Sequence, residues 1–379
     1  MELCRGNRKQ VRNLIKKRLG KEKRWILVGG PPCQAYSLVG RARRAREDRK
    51  KFNQDQRHTL YEEYLDILKH FNPPVFLMEN VKGILSAKHK GSEIFQKICN
   101  DLALAGYNLF SLLGAPTRNS SGRWLRNAFV VKAEHHGIPQ SRHRVFILGI
   151  RKDLRKKPEV LPFESGLIPI GTALKDIPKI RSRLSSGDSF ESWLKSRNRG
   201  LSLASQPMRN SVIDFCGGEF VEKKTSNLNK QKIKINGLPN HESRSHLSSD
   251  IQRYAFAAAY AHKYRKSPKI SDFPKVLKPD HKNISALSIP FTDRFKVQMF
   301  GRPSSTITSH ISKDGHYYIH PDFRQARSLT VREAARLQTF PDNYRFEGPR
   351  TEQYKQVGNA VPPILAQKIA KTIVGIFRI

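Results

Sequence analysis

WILVGGPPCQAYSLVGRARR, residues 25–44, runs four apolar residues into two glycines, two prolines and a cysteine, and then into a cluster of arginines. A short apolar run that stops at a glycine–proline turn reads as a buried strand. The same kind of run recurs at VFLM (75–78), FVV (129–131) and VFILGI (145–150). Between the first two, HTLYEEYLDILKHF sets Leu60, Tyr61, Tyr64, Leu65 and Leu68 on one helical face. A second helix, punctuated by Ser92 and Gly106, carries Ile94, Phe95, Ile98 and Leu102. Strands alternating with helices predict an α/β fold with a parallel sheet. Cys33 then falls at the carboxyl end of a strand, the rim where open α/β sheets place their ligands.

From about residue 152 to 325 the texture changes to Ser, Lys, Arg, Asn and Pro with weak periodicity, a second region of loops and short elements. Order returns at SLTVREAARLQTFPD, where Thr330 and Glu333 form a capping-box pattern and Pro341 bounds the helix. A last helix is predicted from PPILAQKIAKTIVGIF, with proline in its first turn. The 379 residues hold 70 Lys and Arg against 32 Asp and Glu, a net charge of +38. Such an excess calls for a polyanionic partner, nucleic acid first among them. Cys4, Cys33, Cys99 and Cys216 are scattered, so neither a disulfide framework nor a zinc site is indicated, and a reducing compartment fits. No apolar stretch approaches the roughly 20 residues of a membrane span, so a cytoplasmic protein with no membrane partner is expected.

Three sets of residues carry chemistry. Cys33 is a candidate nucleophile, with the following helix start and Arg41, Arg43, Arg44 and Arg46 as sources of positive potential for a thiolate; a small buried residue is the competing reading. FLMENVKG puts Glu79 and Asn80 at the end of the second strand, on the rim of Cys33 if the two strands are parallel neighbours. GIPQSRHRVFILGI offers Gln140, Arg142 and Arg144, and alternation along an extended stretch would aim both arginines the same way, toward phosphate or a carboxylate.

Taken in order, GGPPCQAYS, MENVKGILSA, GIPQSRHRVFILGI, RSLTVREAARLQTFPD and QVGNAVPP resemble the later motifs of the DNA cytosine-5 methyltransferases. The resemblance spans residues 25–151 and 290–379. It implies a Rossmann-like, S-adenosylmethionine-dependent methyltransferase sheet with a second, smaller target recognition domain, acting on double-stranded DNA in restriction-modification. It also implies roles. Cys33 would add to C6 of a flipped-out cytosine, and Glu79 would contact N3 and the exocyclic amine. Arg144 would orient the base and Glu79, while Arg142 and Gln140 would support phosphate and loop geometry. Gln34, Ser37, Asn80 and Gln140 would meet the substrate, and Pro32, Leu60, Asn359 and Ala360 would line one side of the cofactor pocket. Extrusion from the duplex comes first, at about a few kcal/mol.

One departure from the family pattern bears on the cofactor. Members open with a Phe-x-Gly-x-Gly-Gly turn upstream of Pro-Cys-Gln, whereas here residues 1–30 hold no such turn, and no two glycines in the chain have Gly-x-Gly spacing. The sequence reading is therefore a sheet truncated at its N-terminus, with part of a catalytic domain at 1–151, a recognition domain at 152–325, and residues 326–379 returning to the catalytic domain. It expects either a separate chain or an upstream segment that supplies the cofactor motifs, or a remnant that binds DNA without transferring a methyl group. An exposed sheet edge would follow from the missing strands.

Overall fold

The computed structural model describes residues 5–31, 60–89, 91–205, 214–221, 237–279 and 293–377. It divides into two compact units: residues 1–132, 143–163 and 367–379 form one, and residues 133–142 and 164–366 the other.

The first unit is built on a five-stranded sheet. Its described elements are α1 (Arg8–Leu19), β1 (Ile26–Gly29), α2 (Leu60–Phe71), β2 (Val75–Val81), α3 (Ile94–Leu104), β3 (Tyr107–Phe110), β4 (Val130–Lys132) and β5 (His143–Arg151). The order is β1-β2-β5-β3, with β4 also paired to β5. Strands β1 and β2 are parallel, Gly29 opposite Met78. The remaining pairs are antiparallel, because β5 runs against β2, β3 and β4. The sheet is thus mixed, which corrects the expected parallel arrangement. The connection from β4 to β5, residues 133–142, contains no crossover helix of the kind a parallel return requires.

Packing follows the predicted faces. Tyr61, Tyr64 and Leu68 of α2 and Phe95, Ile98 and Leu102 of α3 close over Phe76 and Met78 of β2 and Val145 and Ile147 of β5. Gly149 leaves the space that Phe76 fills, since a Cβ there would lie 2.0 Å from the Phe76 ring. Helix α1 is fastened to α2 by two arginine–carboxylate forks, Arg8 on Glu63 at 2.8 Å and Arg12 on Asp66. Cys99 is buried in this core, its thiol pushed up by burial.

In the second unit, α4 (Phe190–Leu203) packs on α5 (Ser248–Tyr264), and β6 (Gly217–Val221) pairs antiparallel with β7 (Leu238–Glu242). Helices α6 (Val331–Leu337) and α7 (Arg350–Asn359) follow, and α8 (Pro363–Val374) runs on from there into the first unit. The capping box forms as predicted: Thr330 Oγ1 accepts from the Glu333 N–H at 3.1 Å, and Glu333 Oε2 accepts from the Thr330 N–H at 2.8 Å. Residues 326–366 belong to this unit, not to the first, because Leu329, Val331, Ala334, Leu337 and Val357 share a core with Ile170, Leu238 and Ile307. The division therefore departs from 1–151, 152–325 and 326–379, and the second unit is the longer of the two, not the smaller. Among the described residues one helical run, Arg350–Phe377, is long and apolar enough to cross a membrane by length and composition. It is α7 and α8 separated by a break at residues 360–362, with Val357, Leu365, Ile369 and Ile373 buried.

Candidate active site

The parallel pairing of β1 and β2 is what the site needs from the fold. It sets the carboxyl ends of both strands side by side, so Gly30 follows β1 just where Glu79 emerges from β2. Both glycines are demanded by close approach. A Cβ on Gly29 would lie 2.7 Å from the Tyr64 ring, whose hydroxyl sits 3.2 and 3.3 Å from the Leu27 and Leu77 carbonyls and so braces the two strands. On Gly30 it would lie 3.1 Å from Glu79 Oε2.

Asn80 is buried, 5% exposed, and ties the turn to the sheet. Its Nδ2 donates to the Pro31 carbonyl at 3.1 Å, and its Oδ1 accepts from the Val81 N–H at 2.8 Å. The chain leaving β1 is thereby held at the residue from which it departs toward Pro32 and Cys33. Pro32, Cys33, Gln34 and Ser37 lie outside the described residues.

Glu79 and Arg144 meet on the same rim. Arg144 Nε is 3.2 Å from Glu79 Oε1, with the side chains 14% and 23% exposed, and Arg144 Nη1 donates to the His143 carbonyl at 2.8 Å. Burial lowers the Arg144 pKa, and the Glu79 carboxylate opposes that shift. The pair holds one carboxylate oxygen in place while Oε2 faces Gly30, so the carboxylate is oriented to accept hydrogen bonds from a planar ligand at the rim.

Gln140 and Arg142 sit in the second unit. Gln140 is fully buried: its Nε2 donates to Gln338 Oε1 at 2.8 Å and to the Leu337 carbonyl at 3.2 Å, and its Oε1 accepts from the Ile307 N–H at 2.9 Å. Arg142 is buried too, with Nη1 donating to the Ile307 carbonyl at 2.7 Å and both Nη atoms 3.3 Å from the Gly358 carbonyl. The expectation that Arg142 and Arg144 point the same way is corrected. The extended stretch breaks at Arg142, so the two arginines do not share one alternating strand and belong to different units.

Of the residues assigned to the methyl donor, Leu60 begins α2. Asn359 ends α7 with an exposed side chain, and Ala360 follows in extended backbone with its carbonyl accepting from Gln338 Nε2 at 3.1 Å. Gly358 allows this turn to form, since a Cβ would lie 2.3 Å from the backbone of residues 308–309. An exposed carboxamide both donates and accepts, which fits the polar parts of S-adenosylmethionine. Sequence reasoning missed the bracing role of Tyr64. Its signal was the steric one, a large helical side chain opposite a paired glycine.

Comparison with known proteins bears directly on this geometry. The chain matches the family of C-5 cytosine-specific DNA methylases across residues 5–375. It is 36% identical over 354 residues to the Type II methyltransferase M.Bpa9945I of Bacillus paralicheniformis, covering 92% of this chain and 69% of the relative. It is 28% identical over 366 residues to the Type II methyltransferase M.DdeI of Desulfomicrobium norvegicum, covering 92% and 72%. A crystal structure assigned as a prophage-encoded DNA modification methyltransferase of E. coli shares the fold, with a TM-score of 0.56 at 21% identity over 96% of this chain and 83% of the other.

Proposed function

Since the chain belongs to the C-5 cytosine-specific DNA methylases, and so methylates cytosine in DNA as enzymes of restriction-modification do, we propose that its chemistry is carried by Cys33, Glu79 and Arg144. The observation that supports this is the Glu79–Arg144 pair on the rim, beside Gly30 and three residues before Cys33.

Cys33, as thiolate, donates its electron pair to C6 of an extruded cytosine. Glu79, protonated when the base is bound, gives its proton to N3 as the C–S bond forms while its other oxygen accepts from the exocyclic amine, offsetting the charge that the ring acquires, and takes that proton back when the thiolate leaves. Arg144 fixes the Glu79 carboxylate, so the acceptor is oriented before the base arrives and no reorganisation is needed at the moment of attack. C5 thereby gains carbanion character. S-adenosylmethionine supplies an electrophilic methyl group, and Asn359 and Ala360, with Pro32 and Leu60, would hold it. Loss of the C5 proton then returns the electron pair to the ring and expels the Cys33 thiolate, regenerating the enzyme. Asn80 positions the cysteine-bearing turn through Pro31, and Gln34 and Ser37 contact the substrate strand. Gln140 and Arg142 act indirectly, by fixing the segments at Ile307, Leu337 and Gly358.

The second unit supplies target recognition in this proposal, and the enzyme acts in the cytoplasm, where its duplex is. A separate chain carrying the cofactor motifs keeps one physical motive. Among the described residues β1 pairs on one side only, and Val28 on it is 65% exposed. The family match over residues 5–375 lends that reading no support. Methyl transfer from labelled S-adenosylmethionine to DNA by this chain alone would refute it. The nucleophile is tested by covalent trapping on duplex DNA carrying 5-fluorocytosine: the wild-type chain forms an adduct, and Cys33→Ala forms none. An adduct with Cys33→Ala removes Cys33 from the mechanism.

A further inference from the structure

The second unit carries a cavity of about 160 Å³ lined by Ala261, Arg265, Val297, Met299, Phe300 and Arg302. A cavity of about 150 Å³ accommodates a benzene ring, so this one has room for the edge of one nucleobase. Its lining is largely apolar and includes two arginines, Arg265 and Arg302.

The turn that presents Phe300 and Arg302 is pinned along its backbone. The Arg302 N–H donates to the Met299 carbonyl at 3.2 Å, the Phe300 carbonyl accepts from Gly171 at 2.9 Å, and the Arg302 carbonyl accepts from Ile170 at 2.9 Å. Beyond it, Ser304 donates to the Pro139 carbonyl at 3.0 Å. Gly171 permits the approach, since a Cβ there would lie 3.2 Å from the Phe300 carbonyl. An aromatic ring 44% exposed on so rigid a turn is preorganised for contact and loses little entropy when it binds.

Beside the cavity, α5 ends in His262, Lys263, Tyr264, Arg265 and Lys266, all exposed. Arg265 caps the helix in the left-handed region at φ 56°, and Tyr264 packs on Tyr260 with ring centroids 4.4 Å apart. Among the described residues no carboxylate pairs with Lys263, Arg265, Lys266 or Arg302. Cations interleaved with aromatic rings around an apolar slot suit a nucleic-acid groove, where phosphates take the cations and base edges enter the slot.

We propose that this surface reads base edges of duplex DNA and sets the target sequence: Arg302 reads a guanine edge through its two-pronged guanidinium, Phe300 packs against the neighbouring base, and Lys263 and Lys266 hold phosphates. This rests on the proposed recognition role of the second unit. Arginine bidentate to guanine O6 and N7 discriminates against other bases by about 5- to 150-fold.

The full chain is used to enrich bound duplexes from a randomised library without methyl donor, over a salt series, followed by sequencing. The wild-type chain returns a motif containing a G·C pair. Arg302→Ala and Arg302→Lys lose preference at that pair by at least about fivefold, the lysine variant retaining overall affinity because its charge remains. Phe300→Ala loses preference at the adjacent pair. Lys266→Ala keeps the motif, and the slope of log K against log salt falls by about 0.9. The proposal is overturned if the Arg302 and Phe300 variants return the wild-type motif unchanged, or if the wild-type chain returns no motif. Methyl transfer is measured separately on the wild-type chain. A motif without transfer would overturn the methyltransferase reading and leave this one standing, whereas transfer with an unchanged variant motif overturns this one alone.

Discussion

Replacing Asn80 by alanine isolates the connection between the sheet and Pro31, two residues before Cys33 in the sequence. In the wild-type chain the Asn80 amide meets two backbone groups, the Pro31 carbonyl at 3.1 Å and the Val81 N–H at 2.8 Å, in a position 5% exposed. Alanine leaves both without that partner, and each buried group so orphaned costs about 1–3 kcal/mol. Partial entry of water into the vacated space brings the expected loss to about 2–3 kcal/mol. At about 2–4 °C per kcal/mol for a unit of this size, the melting temperature falls by about 5–10 °C. The larger effect is on rate. Pro31 no longer anchors the turn, and a displacement of about 1 Å at a reacting atom costs about a hundredfold. The expected result for Asn80→Ala is therefore kcat lower by about 30- to 100-fold at saturating DNA and methyl donor, with DNA affinity unchanged within about twofold. Asn80→Asp sharpens the test, because it keeps an acceptor for Val81 but turns an acceptor toward the Pro31 carbonyl. It should be at least as slow. Wild-type kcat in Asn80→Asp would refute the claim that the Pro31 link positions the nucleophile, and an unshifted melting curve in Asn80→Ala would refute the burial argument.

Other perturbations probe the rim and the second unit. Gly30→Ala places a methyl group 3.1 Å from Glu79 Oε2, so adduct formation with 5-fluorocytosine DNA should slow while the melting temperature stays near wild type; equal adduct rates would refute the steric claim. Gly29→Ala instead meets the Tyr64 ring at 2.7 Å and should cost about 1–3 kcal/mol of stability, read from the urea midpoint. Acid should weaken the chain in a defined window. Burial holds His241 and His320 neutral, each pushed from 6.5 to about 4. Below pH 6.5 the unfolded chain takes up protons that the folded one refuses, so stability declines from there and the loss is complete near pH 4, at up to about 3 kcal/mol per histidine. Glu333, lowered from 4.5, pulls in the same direction only below pH 4.5. A urea midpoint constant between pH 7.5 and 5 would exclude this account.

Local pattern was legible where one element carried its own signal. The α2 stripe, the Thr330–Glu333 box and the proline start of α8 needed only neighbours within one or two turns, and the structure has all three. What failed was information held in partners distant in sequence. Strand β3 escaped notice because YNLF is short, with Tyr107 and Leu109 buried around an exposed Asn108. The unit boundary escaped because Leu329 and Val331 choose Ile170 and Leu238 as neighbours, which no local texture reveals. The glutamate of the box has a second use that spacing alone does not predict. Both Nη atoms of Arg327 donate to it at 2.7 Å, making a buried fork under the start of α6.

The direction of β5, antiparallel where the sequence predicts a parallel strand, is what brings Arg144 to Glu79. Arg144 lies near the start of its strand and Glu79 near the end of its own. In a sheet parallel throughout, the start of β5 would lie at the edge opposite the carboxyl ends of β1 and β2, and Arg144 would be a strand length from the carboxylate it holds. Antiparallel pairing sets Arg144 opposite Val81 and Phe146 opposite Glu79, so the guanidinium arrives where the two parallel strands finish. A continuous apolar run such as VFILGI is compatible with either direction, because burial on both faces erases the alternation that could show which face is which. The site therefore combines two pairings with different tasks. The parallel pair brings the Gly30 turn beside Glu79, and the antiparallel pair brings the cation that holds Glu79 in place. Arg144→Ala should on this argument leave the sheet intact and release the carboxylate, whereas Arg144→Lys should recover part of the rate by restoring charge without the Nε contact to Glu79 Oε1. If lysine and alanine were equally slow, the orientation of the carboxylate, and not its charge, would be what Arg144 supplies.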